Sequence, residues 1–198
     1  MALRIGLISA PHIPEARAAL WPQIAGAFAD VDMIFHGGDI HELWVLDELE
    51  CVAPVYAARG NGEDGSGGRP VQPEDPRVKP IWTWELEGVS VLLTHYVPVP
   101  EQPPHYTLAW WLARNHSGDP PDVIVSGDSH VEHIERIGKT LCVNPGSALY
   151  PHNYNTQLGT IGFLELDTGA VSASVWLLTE RGIAPFDWGA EPPWKLRP

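Results

Sequence analysis

Short apolar runs, each ending on a polar residue, set the rhythm of the first half of the chain. Leu3 to Ser9 (LRIGLIS) has the length and content of a buried strand. Apolar residues then recur at helical spacing from Glu15 to Phe28, with Pro22 interrupting the pattern. Met33 to His36 predicts a second strand, Glu42 to Leu49 a helix, and Pro54 to Ala58 a third strand. From Gly60 the stretch GNGEDGSGGRPVQPEDP, rich in Gly, Pro and acidic residues, reads as a long loop and as the segment expected to be most mobile. It lacks a Gly-Lys-Ser/Thr ending, so it is not a Walker loop.

Hairpin signals dominate the second half. Ile81 to Leu86 and Val89 to Thr94 flank Glu87-Gly88. A Pro-rich stretch precedes an aromatic helix over Thr107 to Arg114, and Val123 to Ser126 is another buried strand. Two further strand pairs, His133 to Ile137 with Thr140 to Val143 and Ile161 to Leu166 with Val171 to Leu178, turn at Gly138-Lys139 and Thr168-Gly169. The tail beyond Arg181, rich in Pro, Trp and Gly, reads as irregular. Strand-helix alternation and then hairpins predict one mixed-sheet α/β domain with helices outside.

With 198 residues the chain is long enough for one domain with a sizeable core. A 44% apolar and 19% charged composition fits a soluble globular protein. The formal net charge of -13 repels nucleic-acid backbone and anionic lipid, so neither a stable nucleic-acid partner nor a membrane is expected. Phosphate substrates are not excluded, because bound cations reverse the local field. Cys51 and Cys142, both in apolar contexts, read as two buried thiols in a reducing cytoplasm. The apolar start MALRIGLISA is too short for a signal or a membrane span, and Asn115-His116-Ser117 matches a glycosylation sequon by chance.

The candidate chemistry lies at the strand exits. LRIGLIS leads to His12, MIFH to Asp39, VYAA to Asn61, VLL to His95, and VIVS to Asp128 and His130. Ligands bind at the carboxyl ends of strands in open α/β sheets, and a strand exit fixes a side chain well. Imidazole, carboxylate and amide oxygen together, without cysteine, suit manganese, iron, zinc or magnesium rather than a structural zinc site.

The blocks APH, GGD, RGN, LLTH and GDSH, in that order, resemble the calcineurin-like metallophosphoesterases in their small single-domain prokaryotic branch. HGGDIHELWVLDELECVAPVYAARGNGED and VNPGSALYPHNYNTQLGTIGFLELDTG carry the same resemblance, which spans about residues 3 to 178. It implies a four-layer α-β-β-α sandwich with two mixed sheets. It implies also a pair of divalent ions, manganese first, with iron, zinc, nickel and magnesium as alternatives. By the same resemblance His12, Asp39 and His130 match ligands of the first ion, Asn61 and His95 match ligands of the second, and Asp39 bridges. The implied activity is hydrolysis of a small phosphoester, of phosphodiesterase type, by water activated between the ions, with Asp39, Asn61 and His95 as the catalytic set.

Two positions depart from the pattern. The family's first Asp is Ala10, which offers no donor atom, and the first His of its Gly-His-x-His block is Asp128. The carboxylate total across the pair is therefore kept, while the first half loses one and the second gains one. His41 and Glu63 lie close enough in sequence to compensate. Arg59 is the candidate phosphate contact, set against pairing with an acidic neighbour. His36, His152 and Asn153 read as structural, and the Trp82-Thr-Trp84 and Trp110-Trp111 pairs as packing. The wider superfamily often places an acid His after the Asn of the Gly-Asn block, and here that place is Gly62. A rival reading is a weakened or inactive scaffold, as in a retromer subunit that keeps the fold for protein binding. Association of the chain with itself stays open.

Overall fold

Alternating side chains along β1 (Leu3–Ile8) point to two different cores, and this sets the architecture. Ile5 and Leu7 enter an inner core between two sheets, whereas Ile8 enters an outer one under helices. The computed structural model of the chain describes residues 2–153 and 158–189. The first half supplies β2 (Met33–His36), β3 (Val55–Ala58) and β4 (Val78–Lys79), parallel to β1. The second sheet is built from β5 (Ile81–Leu86), β6 (Val89–Thr94), β7 (Val123–Val125), β8 (Glu132–Ile137) and β9 (Thr140–Pro145). The chain then returns through β10 (Thr160–Asp167), β11 (Ala170–Thr179) and β12 (Gly182–Pro185) to complete the first sheet.

The seven-stranded sheet runs β12-β11-β10-β1-β2-β3-β4 and the five-stranded one β5-β6-β7-β9-β8, both mixed. Helices α1 (Pro22–Ala27) and α2 (Trp44–Glu50) cover the outside of the first through Ile24, Phe28, Leu46 and Leu49. Between the sheets, Ile5, Leu7, Phe35 and Leu164 meet Val91, Leu93, Val125 and Val143. A short helix, α3 (Asn61–Asp64), sits at the exit of β3. On the far side of the second sheet Leu92, Ile124 and Cys142 pack against Leu108 and Trp111 of α4 (Leu108–Asn115). The result is the α-β-β-α sandwich expected from the motifs. Trp84 lies flat on Phe35, with ring centroids 4.6 Å apart, so the Trp82-Trp84 pair does pack the inner core.

Four expectations need correction. Helix α1 starts at Pro22, not Glu15, because proline suits the first helical turn and lacks the N–H an interior position needs. The Gly60 stretch is not all loop, since it contains α3 and returns as β4. The tail is not irregular throughout, since β12 pairs with β11; the rest of it, from 190 onward, lies outside the described residues. Cys51 is exposed at the end of α2, whereas Cys142 is buried, and burial pushes its thiol up to about 12. Among the described residues, no helix is long and apolar enough to cross a membrane.

Candidate metal centre

The strand exits of both sheets meet along one edge. Gly37 and Gly127 touch there, and any side chain at Gly127 would run into Ser9 and the Gly37 carbonyl. Among the described residues eight non-glycine positions have positive φ, and six of them sit at this edge: Ala10, His12, Asp39, His41, Asp128 and His130, between 47° and 68°. Left-handed backbone at non-glycine residues is costly and collects at functional sites.

All six expected donors come together. The two oxygens of Asp39 face different groups. Oδ2 lies 3.4 Å from His12 Nε2, which is 3.0 Å from His130 Nε2. Oδ1 accepts the Gly62 N–H at 2.8 Å and lies 3.5 Å from His95 Nε2. That nitrogen is in turn 3.0 Å from Asn61 Oδ1 and 3.4 Å from Asp128 Oδ1. Ligand atoms of His12, Asp39 and His130 all lie within 4.8 Å of one another. The Nδ1–H of His95 donates to the Gly37 carbonyl at 2.6 Å, and that of His130 to the Tyr150 carbonyl at 2.7 Å. Both rings therefore aim Nε2 inward, the orientation that a backbone carbonyl on the other nitrogen gives to metal-binding histidines. A pair of ring nitrogens facing a carboxylate, beside an amide oxygen, is a donor set that fits divalent ions.

Electrostatics differ across the cluster. Burial acts against the Asp39 carboxylate, but His12, the charge of His95 and the Gly62 N–H hold it well below the usual range. Burial drives His130 down to about 4, aided by His12 and His152 and opposed by the Tyr150 carbonyl. Burial also pulls on His95, yet Asp128, Asp39 and the Gly37 carbonyl lift it to about 9.

Other residues hold the donors in place. Buried Glu63 accepts three backbone N–H groups, from Asp39 at 3.1 Å, His41 at 2.9 Å and Gly60 at 2.9 Å. It is a clamp, not the compensating ligand that its place in the sequence suggested. Its spacing of three residues from Gly60 is that of a capping box, which was the available signal. Asn144 and Ser147 tie other exits together: Asn144 Nδ2 donates to the Gly127 carbonyl at 2.6 Å, and Ser147 Oγ to the Ala10 carbonyl at 2.7 Å. Ala10 is fully buried and brings only a methyl group.

His41 sets its ring edge against His12 at 4.2 Å and contacts Glu15 Oε2 through Nδ1 at 2.9 Å. A side chain on Gly62 would collide with that ring. Arg59, weighed between phosphate and an acidic neighbour, donates through Nη2 to the carbonyls of Glu63 at 3.2 Å and Gln72 at 3.0 Å, pinning the loop after Asn61, and its Nη1 lies 3.9 Å from Glu74 Oε1. Arg69 pairs with Glu15 on the rim. His152 stacks on His130, and Asn153 bonds Glu132, in keeping with structural roles.

The chain is similar to known proteins in sequence and in fold. The profile of the calcineurin-like phosphoesterase superfamily domain matches residues 3–169. A probable metallophosphoesterase of Methanothermobacter thermautotrophicus is 31% identical over 147 residues, covering 74% of this chain and 78% of that protein. Vacuolar protein sorting 29 of Cryptosporidium parvum superposes with a TM-score of 0.72 at 17% identity, over 92% of this chain and 95% of the other. Its counterpart from Entamoeba histolytica, solved with zinc, gives 0.67 at 16% identity, over 92% and 96%. The structural likeness shows a shared fold.

Proposed function

The chain belongs to the calcineurin-like phosphoesterase superfamily, and from that premise we propose that it is a phosphodiesterase working with two divalent ions, one on each side of Asp39. One observation carries this reading: Asp39 divides its oxygens between two donor clusters. His12, Asp39 and His130 would hold the first ion, and Asp39, Asn61, His95 and Asp128 the second. Three protein ligands suffice for a catalytic ion that keeps open positions. Bound there, the ions supply charge to receive a phosphoryl group and acidity to a water.

The chain's own residues do the rest. His95 and His130, each locked by a backbone carbonyl, keep their lone pairs aimed at the centre. Glu63 fixes the backbone of Asp39. Gly62 stands where the wider superfamily often carries an acid His, and its lack of a proton donor favours esters with good leaving groups.

The test is turnover of bis(p-nitrophenyl) phosphate with added manganese. Asp39→Asn, which weakens both clusters at once, should lower the rate at least ~10²-fold. Turnover at buffer background in manganese, iron, zinc, nickel and magnesium alike would sink the proposal. Ala10 favours a second reading, a binding protein on the same fold. Metal uptake with a silent assay would support that one.

A further inference from the structure

A cavity of about 250 Å³ opens beside Asp128. The segment 96–100 forms one wall with Gln102 and Tyr106, and residues 126–129 form the other. It shares Asp128 with the metal centre, and Tyr96 directly follows His95. By contrast, a larger hollow lined by Thr83, His116 and Lys139 shares no residue with that centre.

The walls are aromatic and proline-rich. Tyr96 and Tyr106 are 43% and 54% exposed, large rings left uncovered beside the site. Trp110 backs Tyr106, with centroids 6.0 Å apart. The wall is also built in advance. Gln102 and Tyr106 exchange backbone hydrogen bonds at 2.7 and 3.1 Å, and Glu101 Oε1 accepts the first N–H of α4 at 2.7 Å. Neither Lys nor Arg lines the cavity, and Asp128 brings negative charge, so a second phosphate is not what it takes. Its volume falls just under the roughly 300–1,000 Å³ of clefts that hold drug-sized ligands, and suits a single ring system.

Resting on the phosphodiesterase reading of the same centre, we infer that this cavity is the subsite for the second ester group of the substrate. It takes a flat, uncharged ring system of nucleobase size, lying against Tyr96 and Tyr106. Stacking of a base on an aromatic side chain strengthens binding by about tenfold or more.

Two diesters with the same leaving group test it: the p-nitrophenyl ester of thymidine monophosphate and methyl p-nitrophenyl phosphate, both with saturating manganese. The unmodified protein should favour the nucleoside ester about tenfold in kcat/KM, chiefly through KM. Tyr106→Ala should bring that ratio close to one, and Tyr106→Phe should keep it. A ratio near one in the unmodified protein, or one unchanged in folded Tyr106→Ala, would overturn the assignment. If neither ester is hydrolysed, the phosphodiesterase reading fails, and calorimetry on the manganese-loaded protein decides the subsite alone. Thymidine monophosphate binding about tenfold tighter than methyl phosphate, with the margin lost in Tyr106→Ala, supports it. Equal binding removes it.

Discussion

The two donor clusters around Asp39 are built from different sets of side chains. On one side stand two imidazoles, His12 and His130, with Ala10 where the family has a carboxylate. On the other, Asp128 stands where the family has an imidazole, within 3.4 Å of His95. The two halves also differ in protonation, and on the second side Asp128 takes part in the difference. Burial and neighbouring imidazoles hold His130 down to about 4, so its Nε2 carries no proton at neutral pH and faces His12 Nε2 at 3.0 Å. Against the pull of burial, Asp128 and Asp39 lift His95 to about 9, so without metal it carries a proton where an ion would bind. Moving one carboxylate across the pair leaves the carboxylate total alone, and it leaves the second half dependent on the loss of the His95 proton.

The largest consequence is in the pH dependence of metal uptake. An ion entering the Asn61–His95–Asp128 side must displace the His95 proton. Its apparent affinity should rise about tenfold per pH unit toward pH 9, on the order of 100-fold from pH 7 to 9. The His12–His130 side should show no such slope from His130 over that range. Asp128→Asn removes the partner of His95 and should flatten the steep step. Stability of the metal-free protein moves the other way. Because the folded value of His95 is raised, its contribution is complete below about pH 6.5 and is lost as pH climbs through about 9. Two-step manganese titrations by calorimetry at several pH values read both slopes. Equal slopes would mean that the two halves do not differ in protonation.

Ala10→Asp erases the asymmetry from the other side. Ala10 sits at φ 48°, a conformation that Asp tolerates better than alanine, so the backbone favours the change. The new carboxylate enters the deficient half. First-step affinity should rise about 10- to 100-fold, with a parallel gain in turnover at limiting metal. Metal content per chain after dialysis, alongside the phosphodiester rate, measures it. Unchanged occupancy would show that the missing Asp is not what limits that half.

Much of this was legible in the sequence because strand exits are fixed by local pattern. An apolar run that ends on a turn and a polar residue marks a strand end and a candidate donor, and the six residues that meet at this edge could be read in that way. What stayed hidden depends on contacts distant in the chain. Nothing in the sequence shows that the Arg59 guanidinium reaches the Gln72 carbonyl rather than solvent, because the fold of the loop decides it. The seat of His41 against Gly62 likewise joins two turns that meet only in space. Strand β12 is not legible in the sequence because an edge strand needs only a neighbour, and Gly182-Ile-Ala-Pro185 is too short for a periodic signal. Helix α1 was overextended because apolar spacing continues upstream of Pro22, whereas the proline determines where the helix begins.

Glu63 belongs to neither half, and the smallest of these effects sharpens their relation. Its carboxylate accepts the N–H groups of Asp39, His41 and Gly60, and all of it is buried. Gln at this position has nearly the same shape, but one of its two acceptor oxygens becomes an NH₂ donor. At least one of the three backbone N–H groups then faces a donor and loses its partner. An orphaned buried N–H costs about 1–3 kcal/mol, so Glu63→Gln should lower unfolding stability by roughly that amount in urea titrations. The unsettled group lies on the backbone of Asp39 or its neighbours, and Asp39 serves both clusters. Both steps of metal uptake should therefore weaken by a similar factor, about tenfold for each 1.4 kcal/mol reaching the site. Weakening confined to one step would show that the clusters do not share Asp39 as their common anchor. Weakening of both, with the His95 slope retained, would show that they differ in protonation while resting on the same clamp.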